Sequence, residues 1–478
     1  MPLDPDSCYR ALLAHDPRFD GKFFVGVSST RIYCRPVCTV RAPRRENCHF
    51  FASAAAAEVD GYRPCLRCRP ELAPGNAGVD ATARIAKVAV NLIDDGALDD
   101  GDIESLAARV GVTSRHLRRV FDSQFGVSPI AYAQTHRLLL AKHLLTDTEL
   151  PVTEVALASG FASLRRFNAL FKERYRMAPG RLRADATARA LPAALVFGLS
   201  FRPPYDWAAM LDFLRARAID GVEEVTQDSY RRTLAVEQRG ATHAGWIEVR
   251  RAPRRTALAI GVSASLARAI PAVLARVKHA FDLDCDPEGV AAALGDLARS
   301  RPGLRVPGAF DGFEIAVRAV VGQQVTVRGA RTLLGRIAAA FGEPVGDAYP
   351  AGLTRVFPSA ARLGGCSEGD LARLGLTRAR SRTLFALAHA VTSGELVLTP
   401  GADVDATIAT LVALPGIGTW TAQYVAMRAL GWPDAFLASD LGVLKAMGET
   451  RPAHALARSE TWRPWRSYAV IHLWRKVA

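Results

Sequence analysis

Leu414-Pro415-Gly416-Ile417-Gly418-Thr419-Trp420-Thr421-Ala422-Gln423-Tyr424 is the stretch that decides the C-terminal fold. Glycines at alternate positions, Gly416 and Gly418, permit a tight hairpin between two helices, and the second helix then opens near Thr419 with backbone N–H groups facing a phosphate. Carbonyls of the same hairpin, over residues 412–417, can hold a monovalent cation that bridges to that phosphate. Trp420 and Tyr424 are spaced i, i+4 and share a helix face, which suits core packing as well as a stacking platform. Beyond the hairpin runs Ala435-Phe436-Leu437-Ala438-Ser439-Asp440-Leu441-Gly442, one carboxylate in an apolar run. An unpaired Asp is costly to bury, so Asp440 has chemistry to do, faces solvent, or caps the helix that follows.

Around this stretch the chain divides by composition. Helical periodicity broken by Gly and Pro dominates from Val306 to the end. Before it, from Leu195 to about Arg305, short β-like runs (Leu195–Phe201, Gly245–Val249, Ala257–Val262) alternate with an amphipathic helix at Trp207–Ala218. Residues 80–185 read as helices, and an Ala-rich stretch from Asp185 to Ala194, with Pro192, reads as a linker between semi-independent modules. Residues 1–75 carry the clustered cysteines and end at the breakers Pro70, Pro74, Gly75 and Asn76. With 478 residues the chain is too long for one core.

Composition narrows the function classes. A net charge of +14 favours a polyanionic partner, most simply double-stranded DNA. Arginine-rich usage of the kind GC-rich genomes produce raises charge by itself, so charge alone decides little. No run of eighteen apolar residues can span a bilayer, and no membrane partner is expected. The N-terminus lacks an apolar signal core, so a cytoplasmic monomer is the expectation.

Four of the eight cysteines form two close pairs, Cys34 with Cys38 and Cys65 with Cys68. In a reducing compartment such pairs read as a metal site rather than as disulfides. Four thiolates suit one tetrahedral Zn2+, and the ion either staples a small domain or activates a sulfur. Arg35, Arg41, Arg44, Arg45, Arg63 and Arg67 flank the pairs as phosphate ligands or as ordinary surface charge.

In the helical segment two helix-turn-helix patterns follow one another, Ile103–Phe121 and Val152–Phe171. Each buries a face at i, i+3/i+4 and i+7, with Gly111 or Gly160 where the turn needs a left-handed residue. Thr113 or Ser114, and Ser163, are placed to cap the second helices. Arg115, Arg118, Arg119, Arg165 and Arg166 then line outer faces suited to DNA.

Three resemblances follow from these motifs. Phe24-Val25-Gly26-Val27-Ser28-Ser29-Thr30-Arg31-Ile32-Tyr33-Cys34-Arg35-Pro36-Val37-Cys38, with Gly61-Tyr62-Arg63-Pro64-Cys65-Leu66-Arg67-Cys68, resembles the N-terminal domain of the Ada methylation-response proteins. That likeness implies that Cys34 takes a methyl group from a DNA methylphosphotriester, with Cys38, Cys65 and Cys68 as co-ligands. The tandem pattern and its echoes, Phe125-Gly126-Val127-Ser128-Pro129 and Tyr175-Arg176-Met177-Ala178-Pro179, resemble the AraC-type DNA-binding domain. From about Val196 onward the chain resembles AlkA, the 3-methyladenine glycosylase II of the helix-hairpin-helix superfamily, through Pro204-Tyr205-Asp206-Trp207, Arg301–Gly308, the hairpin and Thr461–Tyr468.

The AlkA likeness implies that Asp440 is the catalytic acid and that Trp420, Tyr424 and Trp474 form an aromatic base pocket for cationic alkylpurines. Trp420 occupies the place of the Schiff-base lysine of strand-cleaving relatives, which implies hydrolytic base release without strand cleavage. Gln324, in Gly322-Gln323-Gln324-Val325, stands where the family inserts a leucine into the duplex, so less apolar surface enters. No cysteine follows Cys366 and no Pro-Cys-His-Arg occurs, which argues against an iron–sulfur cluster and an O6-methylguanine transferase segment.

The expected architecture is multidomain and mostly α. It comprises a small zinc α/β domain over 1–75, an all-α tandem helix-turn-helix domain over 80–185, an α+β domain over 192–305 and an all-α helix-hairpin-helix glycosylase domain over 306–478. The expected function is alkylation repair: a monofunctional glycosylase for bases of the 3-methyladenine and 7-methylguanine type, fused to a methylphosphotriester-sensing regulator. Its partners are damaged DNA, promoter DNA and RNA polymerase. The competing reading is a transcriptional activator whose glycosylase half is weak or inactive.

Overall fold

The computed structural model describes residues 4–477 apart from 76–80, 95, 99–100, 149, 185–193, 239–240, 254 and 347. The expected linker lies outside the described residues except for Ala194. Packing divides the chain into two compact units. One holds residues up to Pro203 with Ala252–Ala275 and Leu283–Asp286, and the other holds Pro204–Arg251, Arg276–Asp282 and Pro287–Ala478. Both are mostly helical. Among the described residues no helix is long and apolar enough to cross a membrane.

After an opening helix, Pro5–Leu13, the first unit forms a four-stranded sheet. Phe24–Val27 pairs antiparallel with Ile32–Cys34 and with Cys48–Phe51, and Ile32–Cys34 pairs in parallel with Arg63–Pro64. Between the two cysteine pairs lies the helix Ala54–Val59, whose cap Ser53 accepts from the Ala56 amide. The tandem helices follow as the repeats require. Ile103–Val110 stops at Gly111 (φ 79°), and Ser114–Phe125 is capped by Thr113, which leaves Ser114 inside the helix. In the second repeat Val152–Ala158 leads through Gly160 (φ 85°) to Leu164–Tyr175, capped by Ser163. Leu117, Val120 and Phe121, and then Phe167 and Phe171, supply the buried faces.

Strands Ala194–Ser200 and Ala257–Ser263, antiparallel to each other, complete this unit, so chain from both sides of the Ala-rich stretch packs together. Arg202, 1% exposed, reaches the backbone carbonyls of Asp20, Gly75, Asp284 and Cys285.

The second unit contains an antiparallel meander of Glu223–Val225, Ser229–Gln238 and Ala241–Arg251, with the helix Trp207–Arg217. Sequence patterning misses the strand Ser229–Gln238 because Arg231-Arg232 interrupts its alternation. Arg232 is nonetheless buried, paired with Glu314 (2.6 Å) of the helix Gly312–Val321. Arg318 joins Glu314 (2.7 Å) to Glu223 (2.5 Å). Burial alone would raise the Glu314 pKa, but the two guanidinium groups outweigh it and hold the carboxyl at about 2. This ionic cluster fixes the helix that ends at the Gln323–Gln324 turn.

Candidate active site and metal centre

The hairpin joins Val404–Ala413 to Thr419–Arg428. Gly416 is required by the fold: its φ is +79°, and a Cβ there would collide with Thr383 Oγ1, which also donates to the Pro415 carbonyl (2.8 Å). Gly418 differs. Its φ of −94° is open to any residue, and a Cβ would meet nothing within 4 Å. It caps the next helix without any side-chain partner, and Gly416, Gly418 and Thr419 are exposed. The first amides of that helix are therefore presented outward, as an anion site requires.

Asp440 is the N-cap of the helix Leu441–Met447, its Oδ1 accepting from the Val443 amide at 3.0 Å. Trp474 Nε1 donates to the same oxygen (2.9 Å) and Trp420 Nε1 to Oδ2 (2.9 Å). The cap expected of this acid is present, and the same carboxylate is fixed between two indoles. Trp420 stacks on Tyr424, centroids 5.3 Å apart at 16°, and Tyr424 lies 6.4 Å from Trp474. The three aromatics and Asp440 thus form one constellation. Trp420, Trp474 and Asp440 are half-buried, and Tyr424 is buried. The Tyr424 hydroxyl accepts from Arg428 Nη1 (2.7 Å). Burial would raise the Tyr424 pKa, yet Arg428 and Arg217 prevail and keep it below the usual phenol range.

The wedge candidate sits on the turn after Gly312–Val321. Gln324 is exposed and has φ 53°, a left-handed backbone on a residue with a side chain. Gln323 beside it points inward, its Nε2 donating to the Gly416 carbonyl and to Thr421 Oγ1, both at 3.0 Å.

In the first unit the parallel pairing of Tyr33 with Pro64 sets Cys34 beside Cys65. The sulfurs of Cys34, Cys38, Cys65 and Cys68 all lie within 4.8 Å of one another. The amides of Arg35 and Arg67 donate to Cys68 Sγ (3.3 Å) and Cys65 Sγ (3.4 Å). Sulfurs this close compete for protons when no metal holds them: the hydrogen bond between Cys34 and Cys38 pushes the Cys34 thiol up and draws Cys38 down. Four soft donors with amides aimed at two of them fit Zn2+. Cys34 is 6% exposed, and Cys68 is the more open of the four.

Three known domain families match separate segments of the chain. The metal binding domain of Ada matches residues 7–71, a helix-turn-helix domain matches 106–185, and the AlkA N-terminal domain matches 196–311. A bifunctional transcriptional activator/DNA repair enzyme AlkA of Mycobacterium tuberculosis is 40% identical over 486 residues, spanning 98% of this chain and 96% of that relative. The chain belongs to this bifunctional AlkA family. The DNA-3-methyladenine glycosylase 2 of Escherichia coli is 41% identical over 280 residues, covering 58% of this chain and 96% of that protein. The transcriptional activator/DNA repair enzyme Ada of Escherichia coli is 36% identical over 159 residues, 33% of this chain and 43% of that protein.

Arg115, Arg118, Arg119, Arg165 and Arg166 are all exposed on the second helices of the two repeats. Arg35 leaves the set of candidate phosphate ligands. It is 5% exposed and paired with Asp20, and it donates to the Cys68 carbonyl (3.1 Å) and Ser200 Oγ (2.9 Å). Sequence reasoning missed Phe213, stacked 6.4 Å from Trp474, and the guanidinium groups of Arg217 and Arg428 over Phe213. It also missed Leu441, 83% exposed immediately after Asp440.

Proposed function

We propose that Asp440 promotes hydrolytic release of alkylated purines of the 3-methyladenine and 7-methylguanine type from double-stranded DNA. One observation carries the reading: a carboxylate fixed by two indole N–H groups and a helix N-terminus, beside an outward-facing hairpin. As the bond from C1′ to the base nitrogen breaks, its electron pair leaves with the base and positive charge gathers on the sugar. The Asp440 carboxylate stabilises that charge and orients a water, whose oxygen adds to C1′ as its proton is released. Trp420, Tyr424 and Trp474 offer electron-rich faces to a flipped cationic base. With Trp420 where a Schiff-base lysine would stand, the product is an intact strand with an abasic site.

Gly416, Gly418 and Thr419 grip a DNA phosphate in this reading. A monovalent cation, which carbonyls of 412–417 would hold, belongs to it as well. The assay is abasic-site yield on methylated duplex. Wild type is expected to exceed Asp440→Asn by at least about a hundredfold, as for loss of a principal charge-stabilising group, and equal yields overturn the proposal.

The N-terminal half is proposed to sense damage. The Cys34 sulfur attacks the methyl carbon of a methylphosphotriester; the S–C bond forms, the C–O bond breaks and a phosphodiester anion leaves. Cys34, Cys38, Cys65 and Cys68 would hold Zn2+, which would keep the sulfurs deprotonated at neutral pH. Methylation removes one negative charge facing DNA, so affinity for phosphate rises. Arg115, Arg118, Arg119, Arg165 and Arg166 then read promoter DNA in the major groove, with RNA polymerase as the downstream partner. Intact-mass measurement after exposure to methylphosphotriester DNA is expected to gain one methylene, and Cys34→Ala to gain nothing. An unchanged wild-type mass leaves the metal a purely structural role. The four-domain reading, with 1–75, 80–185, 192–305 and 306–478 as its parts, goes with this assignment.

A further inference from the structure

Gln324 is not merely a poor substitute for an apolar wedge. Its backbone is left-handed (φ 53°), a conformation that is strained for a residue with a side chain. Contacts on both sides of it hold the turn in place. The helix before the turn is fixed by the buried Arg232–Glu314–Arg318–Glu223 cluster. Gln323 is tied by its amide to the hairpin carbonyl of Gly416 and to Thr421, and its own carbonyl accepts from Arg380. The helix after the turn starts at once, with Thr326 accepting from the Gly329 amide (3.1 Å). The backbone of Gln324 is thus held at a fixed offset from the hairpin, and the residue is exposed.

A carboxamide has one acceptor and two donors on adjacent atoms. Rotated by half a turn, it matches an adjacent donor and acceptor on the pairing edge of either thymine or cytosine. Those are the bases left unpaired when an adenine or a guanine is flipped out. A leucine offers neither contact.

We infer that Gln324 binds the orphaned base through its amide, holding thymine or cytosine alike, so that base release depends on a base being present opposite the lesion. This rests on the glycosylase reading above. One bidentate amide–base contact corresponds to about tenfold or more.

The test uses the full-length protein and one alkylated purine placed opposite thymine, cytosine or an abasic spacer, with single-turnover base release measured on each. Wild type is expected to act within about threefold on thymine and cytosine, and about tenfold more slowly opposite the spacer. Gln324→Leu, with an unchanged melting temperature, is expected to narrow the gap between spacer and base to under about twofold. A Gln324→Leu protein that keeps the wild-type gap overturns the inference while leaving the glycosylase reading intact, as does a wild type indifferent to the spacer. Release no faster than Asp440→Asn on every duplex removes both.

Discussion

At the scale of single residues, the Asp440 carboxylate owes its orientation to groups far apart in the chain, Trp420, Val443 and Trp474. Trp474→Phe keeps a flat ring and deletes one N–H donor to a charged acceptor, an interaction of about 1.5–3 kcal/mol. The chemical step is expected to slow by about tenfold to a hundredfold while affinity for methylated duplex stays near wild type, read from single-turnover rates and binding isotherms. Equal losses in rate and affinity would assign Trp474 to base binding alone. Asp440 itself was legible because a lone acid in an apolar run must be accounted for, and Trp420 with Tyr424 because i, i+4 spacing places them on one face. Phe213, Arg217 and Arg428 were not. Nothing local marks an aromatic on the helix Trp207–Arg217 as a neighbour of Trp474, and Arg428 looks like any basic residue at a helix end until its donors to the carbonyls of Pro307 and Gly308 are seen.

At the scale of elements, the two hairpin glycines separate folding from recognition. Gly416→Ala puts a side chain into a left-handed conformation and against Thr383, so a loss of about 1–2 kcal/mol or more is expected in thermal or denaturant unfolding. Gly418→Ala has room and an ordinary backbone, so stability is expected to hold while DNA affinity falls, because only an approaching partner would meet the new methyl group. A Gly418→Ala protein that binds undamaged duplex as wild type does would remove the hairpin from the phosphate site. Element assignment from sequence succeeded where local signals agree, as in the tandem helices with their capping Thr113 and Ser163 and turn glycines. It failed at Ser229–Gln238, where a buried ion pair with a partner distant in sequence overrides the alternation a strand displays.

At the scale of the whole molecule, composition suggested modules on a linker, whereas packing in the first unit joins what composition separates. Glu58 of the helix Ala54–Val59 is buried and accepts from Tyr33 and from Thr135 of the long helix Pro129–Asp147 (both 3.0 Å). Burial raises its pKa to about 7, against the pull of the Thr135 and Tyr33 hydroxyls and of Arg174 and Lys142. The folded value exceeds the ordinary 4.5, so the folded state binds the proton more tightly. This contribution to stability is complete below about pH 4.5, falls by at most about 1.4 kcal/mol per pH unit, and is gone above about 7. Hydrogen exchange in Pro129–Asp147 is expected to quicken from pH 5.5 to 7.5 after correction for the intrinsic rate, and Glu58→Gln to abolish that trend. No sequence pattern reveals such a contact, since Glu58 belongs to an ordinary Ala-rich helix and Thr135 lies far along the chain.

Arg35 has a practical bearing on how this protein can be dissected. It follows Cys34 directly, and its guanidinium ends on Ser200, beyond the Ala-rich stretch where a cut would naturally be placed. A fragment ending there keeps all four cysteines yet loses Ser200 and Arg202, leaving buried charge and backbone carbonyls facing water. Its behaviour toward metal and methyl donors would then describe the truncation as much as the sensor, and no single cut keeps the first unit whole, since Ala252–Ala275 and Leu283–Asp286 also belong to it.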